Sequence, residues 1–392
     1  MRRILEEKNL RDKKILLRLD LNVPMDKGKI TDTTRIDKII PTLNYLIEKN
    51  SKIIILSHVG RPRGKNIMEL SLKPICKDIE NKIDQNIELI TKNIYEMTSQ
   101  DLFKNEKSNI IMLENIRFYN QEEKNDYKFA GHLASLADIY VNDAFSCSHR
   151  AHTSISKITQ FLPSYCGIQF ELEVNALKKI TSEIKKPITC IIGGSKISTK
   201  INIIKNLIPK FDNIVIVGGM ANNVIKYMGN DIGNSISEKN TNSIIEEIFT
   251  LSKKENCKIV YPEDIVVAKT FDGFPKTKEI DKVLKDEMIL DIGEKTIKKI
   301  EALIDESKTI FWNGPAGYFE NLNFANGSIR IAKKIIEKNK AKTVYSVAGG
   351  GDTVSLLNKL HAVNTFDFVS TAGGAFLEYL EGKQLPGITA LK

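Results

Sequence analysis

Basic side chains recur just after short apolar runs in the first half of the sequence. The guanidinium group of arginine presents a planar fork of donors that matches carboxylate and phosphate oxygens. The residues in this pattern are Arg35 at the start of the helix after the first run, His58 and Arg61 after Lys52–Ser57, Arg117 after Asn109–Leu113, and Arg150 after Asp138–Asn142. Each residue alone is most simply a surface charge. Their shared position predicts a pocket for a small, multiply charged anion.

Polar residues also interrupt the first apolar run, Lys14–Leu21. Strand alternation places Arg18, Asp20 and Asn22 together on one face. A strand of a parallel sheet is normally apolar on both faces, so polar residues near its end need a reason. One reason is the crevice at the carboxyl ends of the strands, where open α/β sheets bind ligands. The alternative is a buried pair between Arg18 and Asp20.

Glycines follow five apolar runs in the second half of the sequence. They are Gly193 and Gly194 after Ile188–Ile192, Gly218 and Gly219 after Asn213–Val217, Gly314 after Thr309–Trp312, Gly349–Gly351 after Thr343–Val347, and Gly373 and Gly374 after Asp367–Ser370. Glycine lets backbone N–H groups approach a ligand closely. A single turn of this kind can equally be a tight turn that binds nothing. Five of them predict a site for a nucleotide polyphosphate.

Charged residues next to these glycines suggest how phosphates are held. Asp352 and Thr353 are typical of a helix N-cap, and an anion is favoured at a helix N-terminus. The carboxylate of Asp352 is a suitable ligand for a Mg²⁺ ion that bridges phosphates. Lys196 and Lys200 are four residues apart, which predicts one face of an emerging helix. The segment lacks the spacing of a Walker A loop.

Apolar runs alternate with amphipathic stretches along the whole chain. In the predicted helix Glu294–Ser307, for example, Ile297, Ile300 and Ile304 share one face. Repeated alternation of this kind predicts the α/β class, with open, mostly parallel sheets covered by helices on both sides. The helix Phe170–Ile184 is predicted to connect two doubly wound, Rossmann-like domains of similar size, with a cleft between them.

Composition narrows the function classes. The chain has 392 residues, of which 42% are hydrophobic and 27% charged, as in an ordinary globular protein. No apolar run is long enough for a membrane span, the N-terminus lacks a signal-peptide pattern, and the five cysteines show no CxxC spacing. We therefore expect a cytoplasmic protein with reduced thiols. The net charge of +9 suits anionic ligands, but abundant lysine explains about two-thirds of it, and no nucleic-acid motif accompanies it.

These segments, in this order, resemble the phosphoglycerate kinase family. The matching stretches are Arg18–Pro24, Ser57–Pro62, Glu114–Phe118, His149–His152, Gly193–Lys200, Phe311–Pro315, Gly349–Thr353 and Glu381–Gly387. They span nearly the whole chain. The resemblance implies a glycolytic phosphotransferase with a carboxyl group as acceptor, which transfers a phosphoryl group reversibly between 1,3-bisphosphoglycerate and ADP to give 3-phosphoglycerate and MgATP.

The resemblance also implies roles for individual residues. It assigns phosphoglycerate binding to Asp20, Asn22, Arg35, His58, Arg61, Arg117 and Arg150. It assigns nucleotide binding to Lys196, Lys200, Gly218, Gly219, Asn313, Glu320, Gly349, Gly350, Gly351, Asp352 and Thr353, with Asn313 and Glu320 near base and ribose and Asp352 on magnesium. It assigns phosphoryl transfer to Arg35, Lys196, Lys200, Gly373 and Gly374.

The family's final residues return to its first domain. We therefore expect a phosphoglycerate-binding domain of residues 1–169 plus 376–392, a hinge helix at 170–186, and a nucleotide-binding domain at 187–375. Two positions depart from the family's usual glycines, Val217 and Ala372. Alanine at 372 is harmless if its φ is negative and costs on the order of 1 kcal/mol or more if φ is positive.

The residue types also indicate a mechanism. A carboxylate or phosphate acceptor is already ionised at neutral pH, so no general base is needed. Catalysis then rests on positioning and on neutralising the phosphoryl oxygens, for which Arg35 and Lys196 are the candidates. Domain closure would align donor and acceptor and exclude water.

We expect the protein to be a monomer. The rivals are a binding-only protein, which would be expected to lose the lysines or the arginine set, and a nucleic-acid binder, which has only the net charge in its favour.

Overall fold

The computed structural model describes residues 1–104 and 108–392, and the chain forms two compact units. Unit 1 consists of Met1–Asn175 and Gln384–Lys392, and unit 2 of Ala176–Lys383. The return of the C-terminal segment to unit 1 is fixed by a backbone hydrogen bond of 2.9 Å from the N–H of Gly387 to the carbonyl of Ser148. The boundary at Asn175 lies within one helix, α5, which spans Ile168–Thr181.

The strands are β1 Lys14–Leu19, β2 Met25–Asp26, β3 Lys29–Ile30, β4 Lys52–Leu56, β5 Glu88–Ile90, β6 Ile110–Leu113, β7 Ile139–Asp143, β8 Ser164–Cys166, β9 Ile188–Ile192, β10 Asn213–Ile216, β11 Lys258–Val260, β12 Asp264–Ala268, β13 Lys276–Glu279, β14 Met288–Ile292, β15 Thr309–Asn313, β16 Tyr345–Gly349 and β17 Phe368–Ser370. The helices are α1 Thr34–Glu48, α2 Lys73–Ile83, α3 Asn120–Glu123, α4 Tyr127–Ala134, α5 Ile168–Thr181, α6 Ile201–Leu207, α7 Gly219–Tyr227, α8 Asn242–Lys254, α9 Glu294–Glu306, α10 Asn326–Lys340, α11 Gly351–Lys359, α12 Gly374–Leu380 and α13 Pro386–Thr389.

The main sheet of unit 1 is entirely parallel, in the order β5-β6-β4-β1-β7-β8. Its interior strand β4 is apolar on both faces. In β4, Ile53 and Ile55 pack into one hydrophobic core, while Ile54 and Leu56 pack into a second core. Because successive side chains of a strand point to opposite faces, each face of this sheet is covered by its own layer.

Unit 2 has a second parallel sheet, in the order β11-β10-β9-β15-β16-β17. The predicted α/β class with two parallel sheets is therefore confirmed. Unit 2 also carries an antiparallel sheet, in the order β13-β12-β14, which the sequence analysis did not predict. The reason is that β13 reads Lys-Thr-Lys-Glu and is mostly exposed, so it gives no apolar signal.

The predicted elements occur close to their expected places. Strand β9 has the predicted bounds, and α9 buries the predicted face of Ile297, Ile300 and Ile304. The predicted connecting helix 170–184 is α5, which begins and ends slightly earlier. Residues 376–383, which we expected in the first domain, lie in unit 2, where α12 packs against α6. In the part of the chain that the structure describes, no helix is long and apolar enough to cross a membrane.

Candidate active site

In unit 1, Asp20 holds Arg35 near the end of β1. Nη1 of Arg35 lies 2.9 Å from Oδ2 and 3.1 Å from Oδ1 of Asp20, and it also donates to the carbonyl of Asn22 at 3.2 Å. The Oγ of Ser146 donates to Asp20 at 2.5 Å. Asn22 in turn accepts from the N–H of Gly60 at 2.9 Å. These bonds bring the end of β1, the start of α1 and the segment after β4 together.

Arg18 is fully buried and does not pair with Asp20. Its Nε donates to Oγ of Ser154 at 2.9 Å, and its Nη2 lies 2.9 Å from Nδ1 of His58. Ser154 donates from Oγ and from its backbone N–H to the buried carboxylate of Glu122, at 2.6 and 2.9 Å. The alternative of a buried Arg18–Asp20 pair is therefore wrong. Asp20 pairs with Arg35, and Arg18 is linked to Glu122 by hydrogen bonds through Ser154.

The remaining predicted cations of unit 1 differ in how firmly they are held. Arg117 is buried, and its Nη1 donates to the carbonyl of Gly60 at 2.9 Å, so it belongs to the same cluster as Asn22. Arg150 is half-buried, and its Nε contacts Nε2 of His149 at 3.1 Å. Arg61 is exposed and makes no hydrogen bond or ion pair with any residue that the structure describes. Its side chain is free to reach a ligand.

His58 and His152 of this cluster are both held in the neutral form. Burial lowers the pKa of His58 well below its ordinary value, and the neighbouring guanidinium groups of Arg18, Arg117 and Arg35 lower it further. Burial and the charges of Arg117 and Arg18 likewise lower the pKa of His152 to about 3. Close cations disfavour a further positive charge. Unit 1 therefore offers an anion a set of fixed guanidinium charges with neutral histidines between them.

In unit 2, the glycine turns after β9, β10 and β15 touch one another through their backbones. A side chain at Gly193 would meet the carbonyl oxygen of Pro315 at 2.4 Å, and one at Gly314 would meet the carbonyl oxygen of Gly193 at 2.4 Å. Gly314 also has a φ of 109°, and Gly218 one of 67°. These positions require glycine because of close approach, positive φ or both. The turns thus form one layer of closely packed backbone at the ends of three strands.

The turn after β16 contains Gly350, which has a φ of 95° and is the N-cap of α11. The prediction of an N-cap at Asp352 is wrong, because the left-handed conformation at Gly350 lets the helix begin one residue before Asp352. Asp352 is instead an exposed residue of the first helical turn. Thr353 is buried, and its Oγ1 accepts from the N–H of Gly314 at 2.7 Å. This bond links the turn after β16 to the turn after β15.

The two lysines after β9 do not share a helix face as predicted. Lys196 lies in the loop and is exposed, whereas Lys200 is the N-cap of α6. The helix starts late because Ile197 turns into the core and Ser198 binds Glu238, with Oγ to Oε1 at 2.5 Å and N to Oε2 at 3.0 Å. Burial lowers the pKa of Lys200.

Asn313 joins Lys200 to the glycine turn after β16. Its Oδ1 accepts a hydrogen bond from Nζ of Lys200, and its Nδ2 donates to the carbonyl of Gly349 at 2.8 Å. A side chain at Gly350 would meet Nδ2 of Asn313 at 2.8 Å. The contacts of Asn313 are therefore with a residue and a turn that we assigned to phosphates, and its assignment to the base stays a prediction.

A cavity of about 260 Å³ opens beside the glycine turns of unit 2. Its lining includes the glycines Gly194, Gly218 and Gly219 and the carboxylate of Asp352. Much of the wall is apolar and includes Ile236, Met288, Leu290, Tyr318 and Phe319. Glu320 is exposed and also lines the cavity. A cavity lined by glycine turns, a carboxylate and apolar side chains suits a ligand that combines phosphates with a base.

The last glycine turn, after β17, leaves open space for a ligand. Gly373 has a φ of 54°, nothing lies within 4 Å of where its side chain would be, and Gly374 begins α12. Ala372 is buried and is not among the residues with positive φ, so the strain we considered for alanine here does not arise. Val217 continues the strand ladder through its N–H bond of 2.9 Å to the carbonyl of Ile192.

The donor set for magnesium consists of a single exposed carboxylate. Among the residues that the structure describes, no group of three or more histidine, cysteine, aspartate or glutamate side chains could hold a metal ion. Asp352 lines the cavity, and a carboxylate oxygen is a ligand that Mg²⁺ accepts. Mg²⁺ typically takes one or two protein carboxylates and completes its shell with phosphates and water. The residues present therefore fit a metal that arrives with a nucleotide.

Three members of the unit 1 cluster escaped the sequence analysis, namely Glu122, Ser146 and Ser154. Glu122 lies in a run of polar residues that reads as an exposed helix, and the serines carry no motif of their own. The only signal was position, since Ser146 and Ser154 flank the predicted His149–His152 segment.

Known proteins resemble the chain over its full length. The family model described as phosphoglycerate kinase matches residues 5–383. The phosphoglycerate kinase of Chelativorans sp. (strain BNC1) is 42% identical over 387 residues, which cover 98% of this chain and 97% of that protein. The enzyme of the Wolbachia of Brugia malayi is 42% identical over 390 residues, covering 99% and 98%.

Solved structures agree with the family model. The phosphoglycerate kinase of Coxiella burnetii has a TM-score of 0.90 at 36% identity, covering 99% of this chain and 98% of that one. The enzyme of Pyrococcus horikoshii OT3 has a TM-score of 0.82 at 27% identity, covering 100% and 98%. A match of this length and identity, on a chain with an arginine cluster in one unit and a glycine-lined cavity in the other, shows that the chain belongs to the phosphoglycerate kinase family.

Proposed function

We propose that this chain catalyses the reversible transfer of a phosphoryl group from 1,3-bisphosphoglycerate to ADP, which yields 3-phosphoglycerate and ATP. This is the glycolytic reaction of its family. The observation that carries the proposal is the different chemistry at the strand ends of the two units. Unit 1 gathers guanidinium groups, which suit a small carboxylate and phosphate ligand, and unit 2 has a cavity lined by glycine turns, Asp352 and apolar side chains.

The phosphoglycerate is proposed to bind to the cations of unit 1. Arg35, Arg61, Arg117 and Arg150 would pair with its carboxylate and phosphate oxygens, and His58 would donate a hydrogen bond. Asp20 contributes by fixing Arg35, and Asn22 by fixing the segment after β4 through Gly60. The exposed Arg61 and half-buried Arg150 have the most freedom to move onto the ligand.

The nucleotide is proposed to bind in the cavity of unit 2. The apolar wall would hold the base, and the turns at Gly218–Gly219 and Gly349–Gly351 would hold the phosphates together with Lys200. Asp352 would hold a Mg²⁺ ion carried by the nucleotide. When bound, Mg²⁺ supplies charge neutralisation on the phosphate oxygens.

Phosphoryl transfer is proposed to need no general base, because the acceptor oxygens are already ionised near neutral pH. The chain's part is to position the reactants and to stabilise charge on the transferring group. Arg35 and Lys196 would neutralise the equatorial oxygens, and the N–H groups of Gly373 and Gly374 would bind them. Because the reactants are assigned to different units, transfer requires these units to close over them and exclude water, with α5 as the hinge.

We further propose that the protein is a monomer and is located in the cytoplasm.

The test is a coupled assay of ATP formation by the purified full chain from 1,3-bisphosphoglycerate and ADP. Saturable ATP formation that requires Mg²⁺ is expected. Binding of both ligands without turnover would indicate a binding-only protein and refute the proposal. Salt-dependent RNA affinity without turnover would favour the nucleic-acid alternative.

A further inference from the structure

Three buried side chains outside the predicted anion site connect to one of its members. Nε of Arg18 donates to Oγ of Ser154, and Oγ of Ser154 donates to Oε1 of Glu122. A serine hydroxyl has one proton, so once Ser154 accepts from a guanidinium its own proton must go to the carboxylate. The N–H of Ser154 also donates to Oε2 of Glu122. Glu122 thus accepts at both oxygens; burial raises the pKa of its carboxyl, and the charge of Arg18 and the hydrogen bonds from Ser154 oppose that rise.

The other end of this chain of hydrogen bonds reaches the imidazole of His58. Nη2 of Arg18 lies 2.9 Å from Nδ1 of His58. A guanidinium group has donors only, so Nδ1 must accept and the ring proton must be on Nε2. Nε2 has no hydrogen-bond partner among residues 1–104 and 108–392, and 3% of the His58 surface remains exposed.

We propose that Glu122, Ser154 and Arg18 are positioning residues that fix His58 as the Nε2–H tautomer, which then donates a hydrogen bond to an oxyanion of the substrate. The identity of that substrate, a phosphoglycerate, rests on the proposed function. A buried carboxylate anchored to Ser154 limits how Arg18 can rotate, and Arg18 in turn limits the ring of His58. A second-layer partner that sets a histidine tautomer is a known way to orient a ligating ring.

The charges around His58 keep the ring neutral. Arg18 faces it from β1, Arg35 from α1, Arg117 from the segment after β6 and His152 from the segment after β7. Glu122 is connected to the ring by the hydrogen bonds of Ser154 and Arg18. Neutral His58 should therefore bind the substrate equally well across the pH range in which an ordinary histidine titrates.

The first test is the tautomer of the full-length protein, measured by two-bond ¹H–¹⁵N spectra of chain labelled with ¹⁵N-histidine, with the His58 signals assigned from the spectrum of His58→Gln. We expect a proton on Nε2 and none on Nδ1 from about pH 8 to about pH 5. A proton on Nδ1, or titration of the ring within this range, would overturn the proposal. This measurement needs no substrate and stays decisive if the coupled assay fails, so the two failures are distinguishable.

The second test is Ser154→Ala, with Ser154→Thr as the variant that keeps the hydroxyl. In Ser154→Ala we expect KM for 3-phosphoglycerate to rise about 10-fold and to become pH-dependent below about pH 6.5, with KM for ATP unchanged and kcat within about 3-fold. The spectra should show mixed tautomers, and Ser154→Thr should restore both properties. Ser51→Ala is the matched control, because Ser51 is a buried serine of unit 1 whose hydroxyl bonds to the carbonyl of Leu10.

Two results would contradict the positioning role. Mixed tautomers with an unchanged KM for 3-phosphoglycerate would show that the tautomer does not matter for binding. A raised KM with the Nε2–H tautomer intact would assign the chain of hydrogen bonds a purely structural part. If Ser154→Ala fails to fold, the tautomer of the unaltered protein decides the question alone.

Discussion

Unit 1 and unit 2 both end their parallel strands in residues suited to anions, but they use different chemical groups. Unit 1 brings side-chain cations together, and these must be anchored by buried partners such as Asp20 for Arg35. For unit 2 we propose backbone N–H groups instead, in turns shaped by positive φ at Gly218 and Gly350 and by close backbone contact at Gly193.

The two sites differ in which substitutions disrupt them. A site made of side-chain charges is lost when a charge is removed, and its histidines respond to the field of the guanidinium groups. A site made of backbone is insensitive to charge changes, but at Gly193, Gly314 and Gly350 it has no room for a Cβ atom. Charge removal, metal dependence, Cβ addition and pH should therefore affect the two sites differently.

The largest effect is expected for Arg35→Ala. Loss of this guanidinium should lower kcat by about 10²- to 10³-fold, because charge on the transferring group is no longer neutralised. KM for ATP should change little, since Arg35 is in unit 1. The measurement is steady-state kinetics, with the exposed Arg11→Ala as a matched control. Equal losses in kcat and in nucleotide affinity would mean that Arg35 does not have this role.

The next effect is expected for Asp352→Ala. The Mg²⁺ concentration for half-maximal rate should rise at least about 10-fold, because one direct carboxylate ligand is gone. A magnesium titration at saturating nucleotide measures it, and Asp281→Ala, at an exposed position of the same unit, is the control. An unchanged magnesium dependence would assign the ion to another residue.

A smaller effect is expected for Gly350→Ala. The new Cβ would lie 2.8 Å from Nδ2 of Asn313, in a residue with a φ of 95°. We expect KM for ADP to rise about 10-fold and the free energy of unfolding to fall by about 1 kcal/mol or more. Gly229→Ala is the matched control, because Gly229 is an exposed glycine of the same unit whose φ is also positive, at 91°, but nothing lies within 4 Å of its Cβ position. Equal effects of the two substitutions would argue against a backbone-built site.

The smallest effect is a difference in pH dependence. Burial raises the pKa of Asp291 in unit 2 to about 7, above its unfolded value, so its contribution to stability is lost as pH rises through that value. The pKa of His152 in unit 1 is lowered to about 3, so the unfolded chain binds the extra proton and stability falls as pH drops below the ordinary histidine pKa. From pH 6 to pH 8, unit 2 should lose about 1 kcal/mol through Asp291, whereas in unit 1 the gain of about 1 kcal/mol through His152 is opposed by Asp143, whose pKa burial raises to about 6.

Trp312 allows this difference to be measured. It is the single tryptophan of the sequence and is buried in unit 2, so its fluorescence in urea unfolding reports that unit. The fluorescence midpoint should fall from pH 6 to pH 8. A fluorescence midpoint that rises over this range would contradict the role given to Asp291.

Much of the fold followed from the sequence because its signals are local. Strands such as β4 and β9 are continuous β-branched and apolar runs, and a run of this kind has few other uses than a buried strand. The polar strand β13 is the opposite case, since its place depends on pairing with β12 and not on its own composition.

Several contacts within the candidate site differ from those that the sequence predicted. Asp352 does not cap its helix, because Gly350, with a φ of 95°, is the N-cap of α11. Lys196 and Lys200 were paired by spacing, yet burial of Ile197 delays the helix between them. Nothing in the spacing of Arg18 and Asp20 showed that each would take a different partner.

By itself, the sequence determined the α/β class, the family and the inventory of cations and glycines, because apolar periodicity and ordered motifs are written along the chain. Only the tertiary structure decided which groups touch. The bond from Ser154 to Glu122 joins residues 32 positions apart, and that from Arg18 to Ser154 joins residues 136 apart. Such pairings depend on how parallel strands align at one sheet edge, and no local preference of the chain encodes them.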